Sequence, residues 1–457
     1  MIDFLEICRR ANTGPLVQEE KFDRDLFFPR IMELTKKYDI VHDLENPVNR
    51  DDALADAVYS AAVDLLAEVG LYCTDTQRVI EFTREEILTA VREAPGACWF
   101  GEGHDKRLFK PRKPDDQAPS WCHVGSGVAT SSEEIAFRVV EGYGRIHEAD
   151  SIAAPCLSQL RGIPVTGGSP VELLGSIQAN NIARQALQQV GRPGLPILNF
   201  ISTATSAVGT IAASRPAFGA RATDGWLVGF LAELKLGFEA LNKVAYLTSW
   251  NASVCAECAP IVGGYAGGPA GVAVTNTAYV IAGILAMKAS YQLAFPIDIN
   301  LSCSSTRGVL WAVGASCQAI SRNIAFPILS LGYMAGGPMT ESYFYEAAAY
   351  LITAISSGSS AQTPIPAKAV KLDHQTPLEM QYSAEVIRAA PRIDRKEANK
   401  IVKAIVPKYE ENLPSAPAGK PYQECFEVTT GFPKPAYLEL YTKMKQEIAN
   451  LGVLFDF

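Results

Sequence analysis

The spacing of apolar residues along the chain changes twice, and the changes divide it into three parts. Up to residue 97 the spacing is helical. Residues 23–38 carry an amphipathic pattern interrupted at Pro29. Ala57, Ala61, Leu65 and Val69 recur four apart, which is one helix face, and Thr83-Arg-Glu-Glu86 reads as a capping box that opens a helix to about Arg92. From 98 to 130 the pattern breaks into short apolar runs separated by Gly and Pro, which predicts a hairpin-like insertion across the bottom or side of a larger unit. Short apolar runs then alternate with helical segments. The runs lie at 121–127, 152–157, 195–202, 243–250, 295–301, 326–331 and about 361–366. The helices lie at about 170–190, 228–240, 270–291, 308–324 and 341–357. Such alternation predicts parallel strands with crossover helices. Seven strands are visible, and an eighth is expected within 98–130 or 205–225. The expected fold class is α/β, a TIM (β/α)8 barrel over 98–370 with a helical extension at 1–97 and a helical segment at 371–457, packed as one compact unit. An open doubly wound sheet is the other architecture with this alternation, but no G-x-G-x-x-G stands in a strand-to-helix turn.

Composition narrows the function classes. The 457 residues are 48% hydrophobic and 20% charged with a net charge of −8, which argues against a nucleic-acid footprint. The most apolar segment, 269–287, contains Thr275, Asn276 and Thr277 and suits a buried helix better than a membrane span. The N-terminus does not have the pattern of a secretory signal, so a soluble cytoplasmic protein with reduced cysteines is expected. Cys255-Ala-Glu-Cys258 has the spacing of a redox or zinc pair. The five histidines, 42, 104, 123, 147 and 374, are dispersed, and no metal is assigned.

One stretch concentrates candidate chemistry. Glu257 stands just before the glycine-rich Gly263-Gly-Tyr-Ala-Gly-Gly268, at the place where α/β barrels keep their catalytic groups. A tight turn with an acid that caps backbone amides reads equally well from these residues. Asp298 and Asn300 share one strand face, which points either to the barrel mouth or to helix ends. Ser304-Ser-Thr-Arg307 opens a helix, and Tyr333 precedes a second glycine-rich loop in which Thr340 caps the next helix and Glu341 favours its positive end.

A set of motifs carries a resemblance: Tyr72-Cys-Thr-Asp-Thr76, Gly191-Arg-Pro-Gly194, Glu233-Leu-Lys235, the 263–268 loop, Thr306-Arg307 with Ile320-Ser321, Gly337-Pro338 with Thr340-Glu341, and Ser415-Ala-Pro-Ala-Gly-Lys420 with Gln423-Glu-Cys425. Together they make the chain resemble the monomethylamine:corrinoid methyltransferases of methylotrophic methanogens. The resemblance implies a TIM barrel assembled as a homohexamer, with no tightly bound cofactor of its own. It also implies transfer of a methyl group from a methylated amine to Co(I) of a small corrinoid protein that docks at the barrel mouth. The family's pyrrolysine position falls in Leu198-Asn199-Phe200, most simply on Leu198, and pyrrolysine is absent. By the same resemblance the catalytic glutamate is Glu257 and the catalytic tyrosine Tyr333. A family glutamine is replaced by Leu331, a second acid by Leu227 beside Trp226, and a histidine by Asp298. The loops with Gly263, Gly264, Gly336 and Gly337 would face the corrinoid.

These departures carry a chemical expectation. Displacement at carbon by Co(I) needs a good leaving group, and a neutral primary amine is a poor one. Without pyrrolysine the donor must already be cationic, so a quaternary amine is favoured. It would be held by the faces of Phe200, Trp226, Trp250 and Tyr333, with Glu257 as counter-charge. A monomethylamine enzyme with leucine substituted at the pyrrolysine codon, a methyltransferase with another donor, and a silent amine-binding scaffold also fit the residues.

Overall fold

Seven parallel strands form one sheet in the computed structural model, which describes residues 2–198 and 206–455. In spatial order they are Gly225–Gly229, Ser253–Cys258, Tyr291–Ala294, Ile328–Ser330, Ser360–Gln362, Cys122–Val124 and Ser151–Ile152. Residues 196–198 bond to both edges of this sheet. Ile152 N–H donates to the Pro196 carbonyl, Leu198 N–H donates to the Ile152 carbonyl, and Gly225 N–H donates to the Ile197 carbonyl, all at 2.9–3.1 Å. Side chains alternate across each strand, so the strands present two different faces. Leu227, Cys255, Leu293 and Leu329 meet on one face in a compact apolar cluster with Leu198, Leu331 and Ile365. Trp226, Val228, Val254, Ala256 and Cys258 lie on the other and join the main core under the helices.

The starts of the strands are covered by an antiparallel hairpin, Cys98–Phe100 with Arg107–Phe109. Phe100 packs on Trp121 and Tyr291 with ring centroids 5.9 and 5.3 Å away, and Phe109 packs on the same pair at 5.0 and 5.9 Å. The insertion predicted at 98–130 therefore lies at the bottom. At Gly225 a Cβ would stand 2.3 Å from the Tyr291 hydroxyl, so only glycine lets this plug seat.

Several expected boundaries are corrected. Residues 243–249 of the expected strand belong to a helix, Phe238–Ser249, which also replaces the helix expected at 228–240, and the strands on either side are Gly225–Gly229 and Ser253–Cys258. Ala240, Leu241, Val244 and Leu247 have helical spacing and are buried, and the helix lies across both strands. Of the strand expected at 295–301 only Ile297–Asp298 is strand, paired in parallel with Ile261–Val262; the sheet strand itself is Tyr291–Ala294 and stops before Pro296, which cannot donate to the ladder. The helix expected to reach 291 accordingly stops at Ala286.

The N-terminal expectations at 57–69 and 83–92 match Asp52–Val69 and Arg84–Arg92. The capping box is closed in both directions, with Glu86 N–H donating to Thr83 Oγ1 at 3.2 Å and Thr83 N–H donating to Glu86 Oε2 at 2.9 Å. At Pro29 the chain remains helical, and the preceding turn Phe22–Phe27 widens into a π-helix. Pro269–Ala286 is long and apolar enough to cross a membrane, but it is 89% buried, packed between Asp52–Val69, Arg307–Asn323, Phe28–Lys37 and Arg84–Arg92. Each fully buried Val, Leu or Ile there contributes roughly 1.5–3 kcal/mol, which accounts for the apolar run without lipid. Pro377–Ala389, Arg395–Ile405 and Pro435–Asn450 pack around Glu341–Ser356.

Motifs far apart in sequence become neighbours. Tyr72 and Cys73 pair in parallel with Lys235 and Leu236. Lys235 also binds Glu19 at 2.9 Å and Asp23 at 2.6 Å. Gly337 N–H donates to the Pro417 carbonyl at 2.9 Å, and Lys420 N–H donates to the Pro338 carbonyl at 3.0 Å.

Candidate functional site

Glu257 is the next-to-last residue of Ser253–Cys258, on the same strand face as Cys255, and its register partners are Gly229 and Leu293. It opens into a cavity of about 480 Å³ lined by Leu227, Gly229, Phe230, Glu239, Lys243 and the Thr74-Asp75 turn, among others. Gly229 leaves the opening clear, since a Cβ there would stand 3.3 Å from Glu257 Oε2. Burial pushes the Glu257 carboxyl up to about 7, and the charge of Lys243 only partly opposes this. Lys243 comes from Phe238–Ser249. Helical side chains tilt toward the helix N-terminus, which carries its amine up to the strand ends. Burial lowers the Lys243 amine, while Glu239, Glu257 and Glu172 pull in the other direction. Asp75 caps the same helix by accepting from Phe238 N–H at 2.6 Å.

Tyr333 faces the same apolar cluster. It stacks on Phe295 with centroids 4.9 Å apart and planes 20° apart. Burial raises its phenol well above the usual range, and the charge of Glu257 adds to the effect, so the two groups share one electrostatic environment. Its backbone is held on both sides: Tyr333 N–H donates to Ser304 Oγ at 3.0 Å, and Ser304 N–H donates to the Tyr333 carbonyl at 2.7 Å. Glu346, fully buried, organises the loop that follows. Its carboxylate accepts from Ala335 N–H at 2.7 Å, Gly336 N–H at 2.8 Å, Ser305 Oγ at 2.5 Å and Ser342 Oγ at 2.8 Å.

The sequence-derived site residues separate into groups. Leu198, Leu227 and Leu331 lie in the inner cluster with Tyr333. Asn199 and Phe200 lie outside the described residues. Trp226 and Trp250 do not join the site. They pack edge to face at 6.3 Å in the outer core, because Trp226 alternates with Leu227 and so faces the helices. Asp298 is committed to a turn, accepting from Asn300 N–H at 2.9 Å and Leu301 N–H at 3.0 Å. Gly263 and Gly264 form a surface turn. Gly263 has φ +90°, and its N–H donates to the Gly267 carbonyl at 2.7 Å. The expectation that Gly336 and Gly337 face a ligand is corrected. Both are buried, and a Cβ would meet Tyr343 N at 2.6 Å and Ala418 O at 1.7 Å, so they make room for protein backbone.

The hydroxyls at 304–306 are structural: Ser304 Oγ donates to the Pro296 carbonyl at 2.8 Å, and Thr306 accepts from Val309 N–H at 3.3 Å. Arg307 pairs with Glu410 at 2.6 Å. Thr340 caps as expected, accepting from Tyr343 N–H at 3.4 Å. Cys255 and Cys258 belong to opposite clusters, which puts them on opposite faces of one strand and prevents them from chelating a common ion. Sequence reasoning missed Lys243, Glu239, Phe230 and Asp75. Lys243 was hidden because its helix reads as a strand, and Asp75 because its partner lies 163 residues away.

Comparisons with known proteins agree with the motif pairing. The family model described as monomethylamine methyltransferase MtmB matches residues 2–453. Monomethylamine methyltransferase MtmB2 of Methanosarcina acetivorans is 31% identical over 455 residues, covering 99% of this chain and 98% of the relative. MtmB of Methanosarcina mazei is 31% identical over 454 residues with the same coverage. Among solved structures, the Methanosarcina barkeri monomethylamine methyltransferase superposes with a TM-score of 0.95 at 30% identity, over 99% of each chain. The hydroxylamine complex of MtmB matches equally.

Proposed function

The chain belongs to the monomethylamine methyltransferase family, and from that premise we propose that it moves a methyl group from a methylated amine to the Co(I) corrinoid of a separate corrinoid protein. The ring of strand runs that 196–198 joins is read as a (β/α)8 barrel over 98–370, with helical extensions at 1–97 and 371–457. Hexameric assembly and a cytoplasmic setting belong to the same reading.

The observation that carries the reading is an ionisable carboxyl at the strand ends, poised at about 7 and opening into a cavity beside an apolar wall. In the transfer the methyl carbon–nitrogen bond breaks with its electron pair going to nitrogen. The carbon–cobalt bond forms with the pair supplied by Co(I), and the amine departs. The protein needs no nucleophile of its own; it must hold the donor in line with the acceptor. Leu198, fully buried and apolar, stands for the position given to pyrrolysine and can form no adduct with an amine. The donor therefore arrives cationic, and a quaternary ammonium that leaves as a neutral amine is favoured. With Trp226 and Trp250 on the outer face, the aromatic residue that lines the cavity with the carboxyl is Phe230, while Tyr333 and Phe295 belong to the inner cluster.

The test is methylation of a Co(I) corrinoid protein, followed by the visible spectrum, across mono-, di- and trimethylamine and quaternary ammonium donors. Turnover is expected with a quaternary donor; no turnover with any of them rejects the reading. Binding of the cation should also depend on pH. Glu257 is largely neutral below pH 7 and gains charge above it, so affinity should rise from pH 6 to pH 8 and level off beyond. Calorimetric titration at several pH values checks this, and below pH 7 binding should release a proton from Glu257.

A further inference from the structure

The basic run Lys110-Pro-Arg-Lys113 follows directly on the hairpin that covers the strand starts. There a cavity of about 410 Å³ carries Arg107, Lys110, Arg112 and Arg388 against Asp116 and Asp150. Four cations face two carboxylates, an excess of two positive charges in a chain whose net charge is −8. Arg112 is 5% exposed. Its terminal nitrogens donate to backbone carbonyls, those of Ala118 and, at 2.6 Å, Asp116, and its Nε has no partner. The Asp116 carboxylate is turned to Ala118 N–H at 2.8 Å. Burial lowers the Arg112 guanidinium and the charge of Asp116 opposes this, but an arginine stays protonated in a folded protein, so the cation is retained. Arg107 is exposed and donates to carbonyls as well, those of His104 at 2.7 Å and Lys106 at 3.0 Å. Arg388 divides its bonds between Asp150 at 2.9 Å and the Ser120 carbonyl at 2.6 Å. A buried cation with an unsatisfied N–H is unfavourable, and an anion in the cavity offsets that.

We propose that this cavity binds a small molecule through an oxyanion of the phosphate class. Arg112 has both terminal nitrogens committed to carbonyls, so it cannot clasp a planar carboxylate with its fork. What remains are single donors from different parts of the chain: Arg112 Nε, the Lys110 ammonium and Arg107. A tetrahedral oxyanion presents oxygens to several sides and takes such donors one by one. Trp121 N–H donates to Ser360 Oγ at 3.1 Å, which turns the hydroxyl proton elsewhere, and Ser360 lines the cavity. Arg107 and Arg388 also line an adjoining cavity of about 660 Å³ with Arg192 and Arg392, so a second phosphoryl group fits along the shared wall and a diphosphate is preferred. Phe109 and Trp121 of the aromatic plug border the site, on the side of the sheet away from Glu257. The ligand is therefore no reactant in methyl transfer; it fastens the hairpin to the strand starts.

The probes are pyrophosphate and succinate, compared by calorimetric titration of the full chain at fixed ionic strength. Pyrophosphate is expected to bind at least about tenfold more tightly than succinate and to raise the melting temperature. Arg107→Ser combined with Lys110→Ser should weaken pyrophosphate binding by at least about tenfold. Both side chains are exposed, so the melting temperature without ligand should stay the same. Arg112→Lys keeps a charge and loses the Nε–H, and it should weaken binding too; where it fails to fold, the exposed pair decides. Two controls should leave the affinity unchanged: Lys36→Ser with Lys403→Ser, which removes two exposed cations elsewhere, and Glu257→Gln in the other cavity. No binding of pyrophosphate up to about 10 mM overturns the inference. So does equal affinity for succinate, unchanged binding in the Arg107 and Lys110 double variant, or a loss of affinity in either control.

Discussion

Replacing Glu257 with glutamine should lower kcat/KM for methyl transfer by a factor of about 10²–10³ while the protein stays folded, the scale seen when one preorganised charge is removed from an active site. Glutamine has nearly the same shape and fits the cavity, but it cannot offset the positive nitrogen as the carbon–nitrogen bond stretches. The pH dependence of cation binding between 6 and 8 should vanish with it, because the group that titrates there is gone. Stability should move the other way. A carboxyl raised to about 7 in the folded chain stabilises it most below its unfolded value near 4.5, and that contribution is lost as pH rises through 7. The glutamine variant escapes this loss, so at pH 8 its melting temperature should match or exceed that of the parent. A variant that retains full activity would remove Glu257 from the mechanism.

Glu346→Ala should be the most destabilising single change near the site, costing about 3–5 kcal/mol. The carboxylate satisfies two buried backbone N–H groups and two hydroxyls at once, and alanine would leave all four without a partner. Denaturant unfolding measures the loss. Glu346→Gln should cost less, because one amide oxygen can still accept from the loop. In both variants the segment after Tyr333 loosens, so turnover should fall further than the folded fraction does. An unchanged denaturation midpoint in Glu346→Ala would contradict the role given to this residue.

The architecture was largely legible because local pattern and tertiary packing agree over most of the chain. The capping box at Thr83, the alternation of apolar runs and the hairpin break at 98–130 are short-range signals, and each has its counterpart in the fold. The stretch 238–258 was misread where both signals are present. Val244 to Trp250 is apolar enough for a buried strand, and only its packing against Gly225–Gly229 and Ser253–Cys258 selects the helix. That error also hid the site's cation, since Lys243 on a strand would not have been placed beside Glu257. The aromatic cage failed for a simpler reason. Trp226 neighbours Leu227 in sequence, but consecutive strand residues point opposite ways, and the tryptophan went to the helices. The glycine-rich loops illustrate a third limit. Gly337 reads like a ligand cradle, but the atom that needs its space is a carbonyl 81 residues further along, at Ala418.

The aromatic plug of Phe100, Phe109, Trp121 and Tyr291 closes the side of the sheet where the strands start. On the proposed reaction, small donor and bulky acceptor would then share the doorway at the strand ends. Under that proposal a macromolecule seated there would shut the donor out, and the expected order of arrival is donor first, corrinoid protein second, with the spent amine released after its partner withdraws.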